Sequence, residues 1–294
     1  MAGSTHGRII QDNQKKLNHS SGRNSSKAVE ILLIGAVLFV FIIILIIPLI
    51  SVFLKAFEQG AGVYIASITD RIALKAVRLT LITMGFAVVI NTAFGLTVAW
   101  AVAKFKFKGK NLLVTFIDLP FAISPVVAGL IFVLLFSTTH GVTAPLLNAW
   151  GIKIIFAPPG IILATIFVTL PFVARELIPL MEAQGTAEEE AALTLGASGW
   201  KTFWFITLPN IKWALLYGVV LTVARAAGEF GAVSVVSGHI RGLTNTLPLH
   251  VEILYNEYKF SAAFAVASLL TIIAILNLVI KNISEWKINK QENT

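Results

Sequence analysis

EAQGTAEEEAALTLGASGWKTFWFITLP, residues 182–209, is a polar and then aromatic interruption between two strongly apolar segments. Within it Glu190, Ala191 and Ala192 are followed four residues on by Gly196, and after nine more residues by Ile206, Leu208 and Pro209. Thr186 with Glu189 three residues later is a capping-box pattern, which starts a helix. Glu188, Ala191, Ala192 and Leu195 then share one side of that helix, and Gly196 suits the left-handed residue that ends it. Ser198 is placed to cap a second short helix through Trp200, Phe203 and Ile206, closed by Pro209. The pattern predicts a helix-turn-helix knob, small alanines on one helix and large aromatics on the next. Two uses stay open at this point. The alanines permit close approach by a partner whose grooves Trp200, Phe203 and Trp204 would fill, or the hairpin lies flat on lipid headgroups.

The solvent around this knob follows from composition. Of the 294 residues 56% are hydrophobic and 13% charged, with mean hydropathy +0.83, which marks an integral membrane protein. Six apolar runs, 31–54, 79–103, 112–136, 161–180, 213–236 and 261–280, meet the length of about 20 residues that a membrane-crossing helix needs. They are apolar on every side, unlike the alternating strands of a barrel, so helices that satisfy their own backbone groups are expected. The expectation is one all-α integral membrane domain over residues 31–290. Residues 1–30, rich in Ser, Asn and Lys without apolar periodicity, are read as a disordered tail. The 24-residue first run lacks a small-residue cleavage pattern and stays as a span rather than a signal peptide.

With the N-terminus inside, thirteen Lys and Arg fall on inner segments against seven on outer ones, which sets both termini in the cytoplasm. The bias rests chiefly on Lys104, Lys106, Lys108 and Lys110. These residues sit at membrane boundaries, so the net charge of +8 reads as loop retention and contact with anionic lipid, not as nucleic-acid binding. Zero cysteines exclude disulfides, Cys-based metal sites and Cys nucleophiles.

The Glu-Ala-Ala, Gly, Ile-x-Leu-Pro pattern resembles the signature of permease subunits of ATP-binding-cassette importers, with every position present. Asp118 to Pro125, Pro171 to Leu177, and Thr207 through Trp213, Arg225, Gly228-Glu-Phe-Gly231 and Gly238 to Arg241 extend the resemblance to sulfate/thiosulfate permeases, of the W-type that pairs with an unlike T- or U-type chain. The resemblance implies a six-helix type I importer bundle with cytoplasmic coupling helices, in a cell inner membrane. It further implies a pair of cytosolic ATP-binding-cassette ATPases, a second, non-identical permease chain and an extracytoplasmic sulfate-binding protein. Glu190, Ala191, Ala192, Gly196, Trp200, Phe203, Ile206, Leu208 and Pro209 would seat in an ATPase cleft and carry its closure to the membrane helices.

The chain has no Gly-x4-Gly-Lys-Ser/Thr loop to cradle nucleotide phosphates. No cofactor is therefore expected on it, ATP and Mg being bound by the partner ATPase. No Ser/His/Asp arrangement, His-Glu-x-x-His or spaced carboxylate cluster argues for an enzyme or a metal site.

Ionisable groups within the spans are the other functional candidates. Arg225 and Glu229, four apart, share a helix face, about 20 Å from the inner end of their run. Either Arg225 offers an oxyanion a cation near the midplane, or Glu229 neutralises it and the pair pins helices. Asp118 is expected to pair with a basic group or cap a broken helix rather than ligate an anion. Pro120 and Pro125 bracket Ser124 and disturb their helix, as a pore-lining kink or a packing kink. Arg175 and Glu176 point about 100° apart and are expected to gate or to form an interface. His239 and Arg241, just outside, mark where a delivery protein would dock, or a solvated loop. A molybdate or tungstate importer, a proton-coupled carrier relaying through Asp118 and Glu229, and a membrane scaffold are the competing functions.

Overall fold

A computed structural model describes residue 27 and residues 29–292. The expected tail at 1–30 falls almost wholly outside the described residues. These are helical with no strand among them. The described residues up to Leu54 form one unit and those from Lys55 onward another.

The first unit contains most of α1, Val29–Phe57, whose side chains from Ile31 to Leu54 are largely exposed and apolar. In the second unit α2 (Ala61–Thr69) leads into α3 (Arg71–Lys104), which begins on an Asp70 cap accepting from the N–H groups of Ile72 and Ala73. Next come α4 (Lys110–Ala122), α5 (Pro125–Phe136), α6 (Ala144–Trp150), α7 (Pro158–Thr169) and α8 (Pro171–Gln184). The chain ends with α9 (Ala187–Thr194), α10 (Gly199–Ala227), α11 (Gly231–Ser237), α12 (Leu247–Asn256) and α13 (Phe260–Glu292).

Five helical stretches among the described residues are long and apolar enough to cross a membrane: α1, α3, α7 with α8, α10, and α13 to Ile283. The sixth expected run, 112–136, is not one helix. It breaks at Ile123–Ser124, where α4 and α5 meet at 107°. Pro125 explains the site of the break, because the residue before a proline avoids helical dihedrals, and Ser124 is extended at φ −56°, ψ 134°. Pro120, expected to disturb the run as well, is absorbed within α4. The run 213–236 is likewise split. Its first part belongs to α10, which starts fourteen residues earlier at Gly199, and its last part is the separate α11.

The bundle centre is the contact of α3, α8 and α10, where Ala99, Val173, Leu177, Met181, Ile211 and Ala214 are buried together. A second core joins α3, α7, α11 and α12 through Leu79, Ala164, Val168, Val233 and Leu249. The short α11 fits beside α5 because both contribute glycine: a Cβ on Gly231 would stand 2.9 Å from Pro125 Cβ, and one on Gly129 would stand 2.8 Å from the Ala232 carbonyl oxygen. Small residues let backbones approach where lipid supplies no hydrophobic drive. A polar link crosses the bundle as well. Asn91 of α3 donates to Thr169 Oγ1 at 2.7 Å and to the Ile166 carbonyl at 3.1 Å, beside the junction of α7 and α8.

Candidate functional site

The polar stretch folds as two helix starts around a turn. α9 begins directly after Thr186, but not through the expected box with Glu189: the Thr186 hydroxyl donates to Glu190 at 2.7 Å, and no side chain caps the N-terminus. Glu189 is drawn elsewhere. Its Oε1 lies 2.8 Å from Lys104 Nζ at the end of α3 and accepts from Thr207 Oγ1 at 3.1 Å. Gly196 adopts φ +89°, the conformation its position demanded, and Ser198 accepts from the Lys201 N–H as the cap of α10.

Pro209 does not close a short second helix. A widened turn at Phe203–Thr207 brings the Leu208 N–H to the Phe203 carbonyl, five residues back, and α10 runs on to Ala227. The shift puts Pro209 at the start of the next regular stretch, where its missing N–H forfeits no ladder bond. The knob is therefore continuous with a membrane helix. Any tilt of its second half is a tilt of α10.

The two faces of the knob differ from the expected ones. Ala192 is buried whereas Ala191 and Leu195 are exposed, and Phe203 turns inward against Trp100 of α3, ring centroids 6.0 Å apart. Leu195 (88%), Phe205 (78%) and Trp200 (71%) carry the exposed apolar surface. Phe205 was not singled out from sequence, because its neighbours Phe203 and Trp204 equally fit an aromatic face. Ile206 and Leu208 are half-buried, and Pro209 and Glu190 are exposed.

Anchorage comes from two lysines of the run 104–110. Lys104 also donates to the Gly185 carbonyl, and Lys110 pairs with Glu182 at 2.8 Å. Asn210 of α10 donates to Glu188. Thus contacts in and beside the loop tie together α3, α4, α8 and α10. A cavity of about 170 Å³ beneath it is lined by Trp100, Lys104, Glu189, Leu193 and Phe203 among others.

Deeper in the bundle, Asp118 of α4 meets Arg175 of α8, Oδ1 to Nε 2.9 Å, and the guanidinium carbon lies 4.9 Å from the centre of the Phe121 ring. Asp118 finds a basic group, one of its two expected fates. Glu176 points away from Arg175 towards α10, its Cβ 3.6 Å from where a Cβ on Gly218 would stand. Arg225 pairs with Glu229, whose other oxygen accepts from the Ala232 N–H at 2.8 Å and so caps α11. Glu229 is almost wholly buried. This joint of α10 and α11 is held by a carboxylate facing both a cation and a helix start. Ser124 marks the break between α4 and α5.

Beyond α11, His239 faces Glu252 at 3.3 Å, and Arg241 pairs with Glu257, which also meets Lys259 at 3.1 Å. Hydrogen bonds from Arg241 and Lys259 hold the Glu257 carboxyl below its ordinary range. His250 is held below the usual imidazole value by burial, with Asp70 opposing and Arg241 reinforcing.

Residues 91–288 match the family described as binding-protein-dependent transport system inner membrane component. The chain is 52% identical over 269 residues to the sulfate transport system permease protein CysW of Synechococcus elongatus, covering 92% of this chain and 94% of that one. It is 35% identical to the Escherichia coli sulfate transport system permease protein CysT, covering 83% and 88%. Its fold is shared with a chain of a bacterial alginate ABC transporter solved with an alginate-bound periplasmic protein, at TM-score 0.72 and 19% identity, covering 90% and 94%. A broken-helix membrane bundle carrying a Glu-Ala-Ala and Gly knob, with a family match spanning that knob and most of the bundle, belongs to the inner membrane permease components of binding-protein-dependent transport systems.

Proposed function

We propose that this chain is one of two unlike permease subunits of an ATP-driven sulfate or thiosulfate importer, forming half of the translocation path. The observation that carries the reading is the knob: an exposed apolar face of Leu195, Trp200 and Phe205 mounted on groups tied to four bundle helices. Such a part is built to receive force from a partner and pass it on. Similarity to CysW supports sulfate as cargo, and similarity to CysT supports a T-type chain as the second permease.

The partners are a pair of cytosolic ATP-binding-cassette ATPases, which bind ATP and Mg, and an extracytoplasmic sulfate-binding protein. Both termini and the knob lie in the cytoplasm, consistent with the lysine-rich 104–110 connection beside the knob. Glu190, Ala191, Gly196, Trp200 and Pro209 face the ATPase, while Ala192, Phe203, Ile206 and Leu208 seat the knob on the bundle. Nucleotide binding draws two such knobs together and opens the helices outward around Asp118, Ser124 and Arg175. Hydrolysis resets them. Arg225 and Glu229 hold the joint of α10 and α11 beside that path.

The test is co-expression with the two ATPases, a T-type permease and the binding protein, then reconstitution in liposomes. Uptake of labelled sulfate that requires ATP and all partners is expected. Uptake by this chain alone driven by a pH gradient, or no sulfate uptake by the complete assembly, refutes the proposal.

A further inference from the structure

We propose that the free edge of the Arg175 guanidinium is an anion-binding contact on the translocation path, held by Asp118 when empty and given up to a passing tetrahedral oxyanion. The inference rests on the importer reading above and names a residue that touches its cargo.

Position supplies the first argument. Arg175 lies four residues from the middle of the 27-residue stretch Pro158–Gln184, about 6 Å along the axis. Its side chain is 59% exposed and that of Asp118 35%. An exposed ion pair at this depth cannot face lipid tails and must meet water or another protein. The pairs that tie bundle helices to the knob, Lys104–Glu189 and Lys110–Glu182, sit instead at helix ends.

Valence supplies the second. The closest contact of the pair is Nε to Oδ1 at 2.9 Å, and more than half of the Arg175 side chain stays exposed beyond it. Arginine offers five N–H donors in a flat fork that suits two oxygens of an anion at once. A dry protein interface would leave those donors unsatisfied, whereas a wet path supplies water or cargo. Phe121 covers one face of the guanidinium at 4.9 Å and is itself braced by Phe172, ring centroids 5.2 Å apart. The fork is thus fixed with its edge open.

Asp118 gives the contact its second property. A bare arginine would retain a doubly charged anion, and a path must release what it binds. A carboxylate already on Nε competes for the same cation and limits dwell time. Asp118 and Phe121 both sit in α4 within six residues of the break at Ser124, so movement of α4 against α5 shifts the latch relative to Arg175. Arg225 lacks this freedom because its partner is bound into the start of α11.

The absence of cysteine from this chain permits a direct test in the reconstituted complex. Arg175→Gln is expected to lower sulfate uptake about tenfold, the scale of one charge-assisted contact. Arg175→Lys keeps the charge without the fork and falls between. Asp118→Asn is expected to lower both the sulfate concentration for half-maximal uptake and the maximal rate. Phe121→Cys, which leaves the ion pair intact, should react with a water-borne anionic thiol reagent and be protected by sulfate delivered on the binding protein. Normal uptake by Arg175→Gln, or a cysteine at 121 unreactive in every nucleotide state, overturns the proposal. Failure of the unaltered complex to move sulfate would strike the importer reading instead.

Discussion

Reversing the charge at one end of the Lys104–Glu189 contact should uncouple the motor from the path, and reversing both should restore part of the coupling. The two side chains are only 8% and 17% exposed and their charged atoms lie 2.8 Å apart. At that distance two unit charges attract by about 6 kcal/mol for an effective dielectric near 20. Desolvation takes back most of this, leaving a net coupling on the order of 1–3 kcal/mol. Lys104→Glu or Glu189→Lys alone sets like charges against each other in a half-dry pocket, and should cost about 3–5 kcal/mol of loop anchorage. The swap regains the pair term but not everything, because the Gly185 carbonyl loses its Lys104 donor and Thr207 loses its carboxylate acceptor. The measurement is the ratio of sulfate transported to ATP hydrolysed, with thermal inactivation of the complex in parallel. Single reversals should keep basal hydrolysis and lose uptake, with the swap recovering both uptake and stability. If the two single effects simply add in the swap to within about 0.5 kcal/mol, the pair carries no coupling and the reasoning fails.

Further outcomes follow from other sites. Gly196→Val forces a β-branched residue to φ +89°, costing roughly 1–2 kcal/mol locally, and should abolish uptake while the chain still inserts and copurifies with its permease partner. Glu190→Lys should also lose uptake at unchanged expression, since Glu190 is exposed on the knob. Gly129→Val drives a Cβ to 2.8 Å from the Ala232 carbonyl and should lower stability by about 1–3 kcal/mol, read as a lower melting temperature in detergent. His250 is buried with its pKa depressed, so the unfolded chain binds the proton more readily. Its contribution is full above the ordinary imidazole value of about 6.5 and is lost as pH falls through that value towards the lower folded one. Melting temperature should drop between pH 8 and pH 5.5, and His250→Gln should flatten that slope.

Hydropathy and one motif were enough to read the membrane class, the helical content and the knob, because each is a local property of the chain. Direction is not local. A run such as 112–136 has the same hydropathy whether it goes straight or turns through 107°, and Pro120 and Pro125 around Ser124 hinted at a kink without giving its place or size. The run 213–236 hid a second break because Gly228 to Phe230 interrupt the helix within a stretch whose average hydropathy stays high despite Glu229. The knob's faces were misread for a related reason. Helical spacing put Ala191 and Ala192 on one side, whereas the bundle claims Ala192 and leaves Ala191 to solvent. The Lys104–Glu189 contact joins residues 85 positions apart, and a lysine run beside a membrane already had a sufficient explanation in loop retention. Asn91 likewise gained a meaning only when Thr169 was placed beside it.

The anchoring pattern bears on how force crosses the bundle. A knob hinged only to α8 and α10 would rotate freely, and an ATPase could move it without moving α3. Lys104 prevents this by holding both the Gly185 carbonyl and Glu189, so that the turn leaving α8 and the first helix of the knob are bound to one ammonium at the end of a 34-residue helix. Trp100, one turn earlier, presses on Phe203 in the widened turn of α10. Displacement of the knob therefore reaches α3 by an ionic contact and α10 by covalent continuity. Both helices pack against α8 along Val173 and Leu177, the segment that carries Arg175. Side chains packed to interior density transmit such a displacement instead of absorbing it. Under the proposed function, a movement begun at Leu195, Trp200 and Phe205 would thus arrive at the Arg175–Asp118 contact through packed helices, which is the arrangement a motor-driven anion path requires.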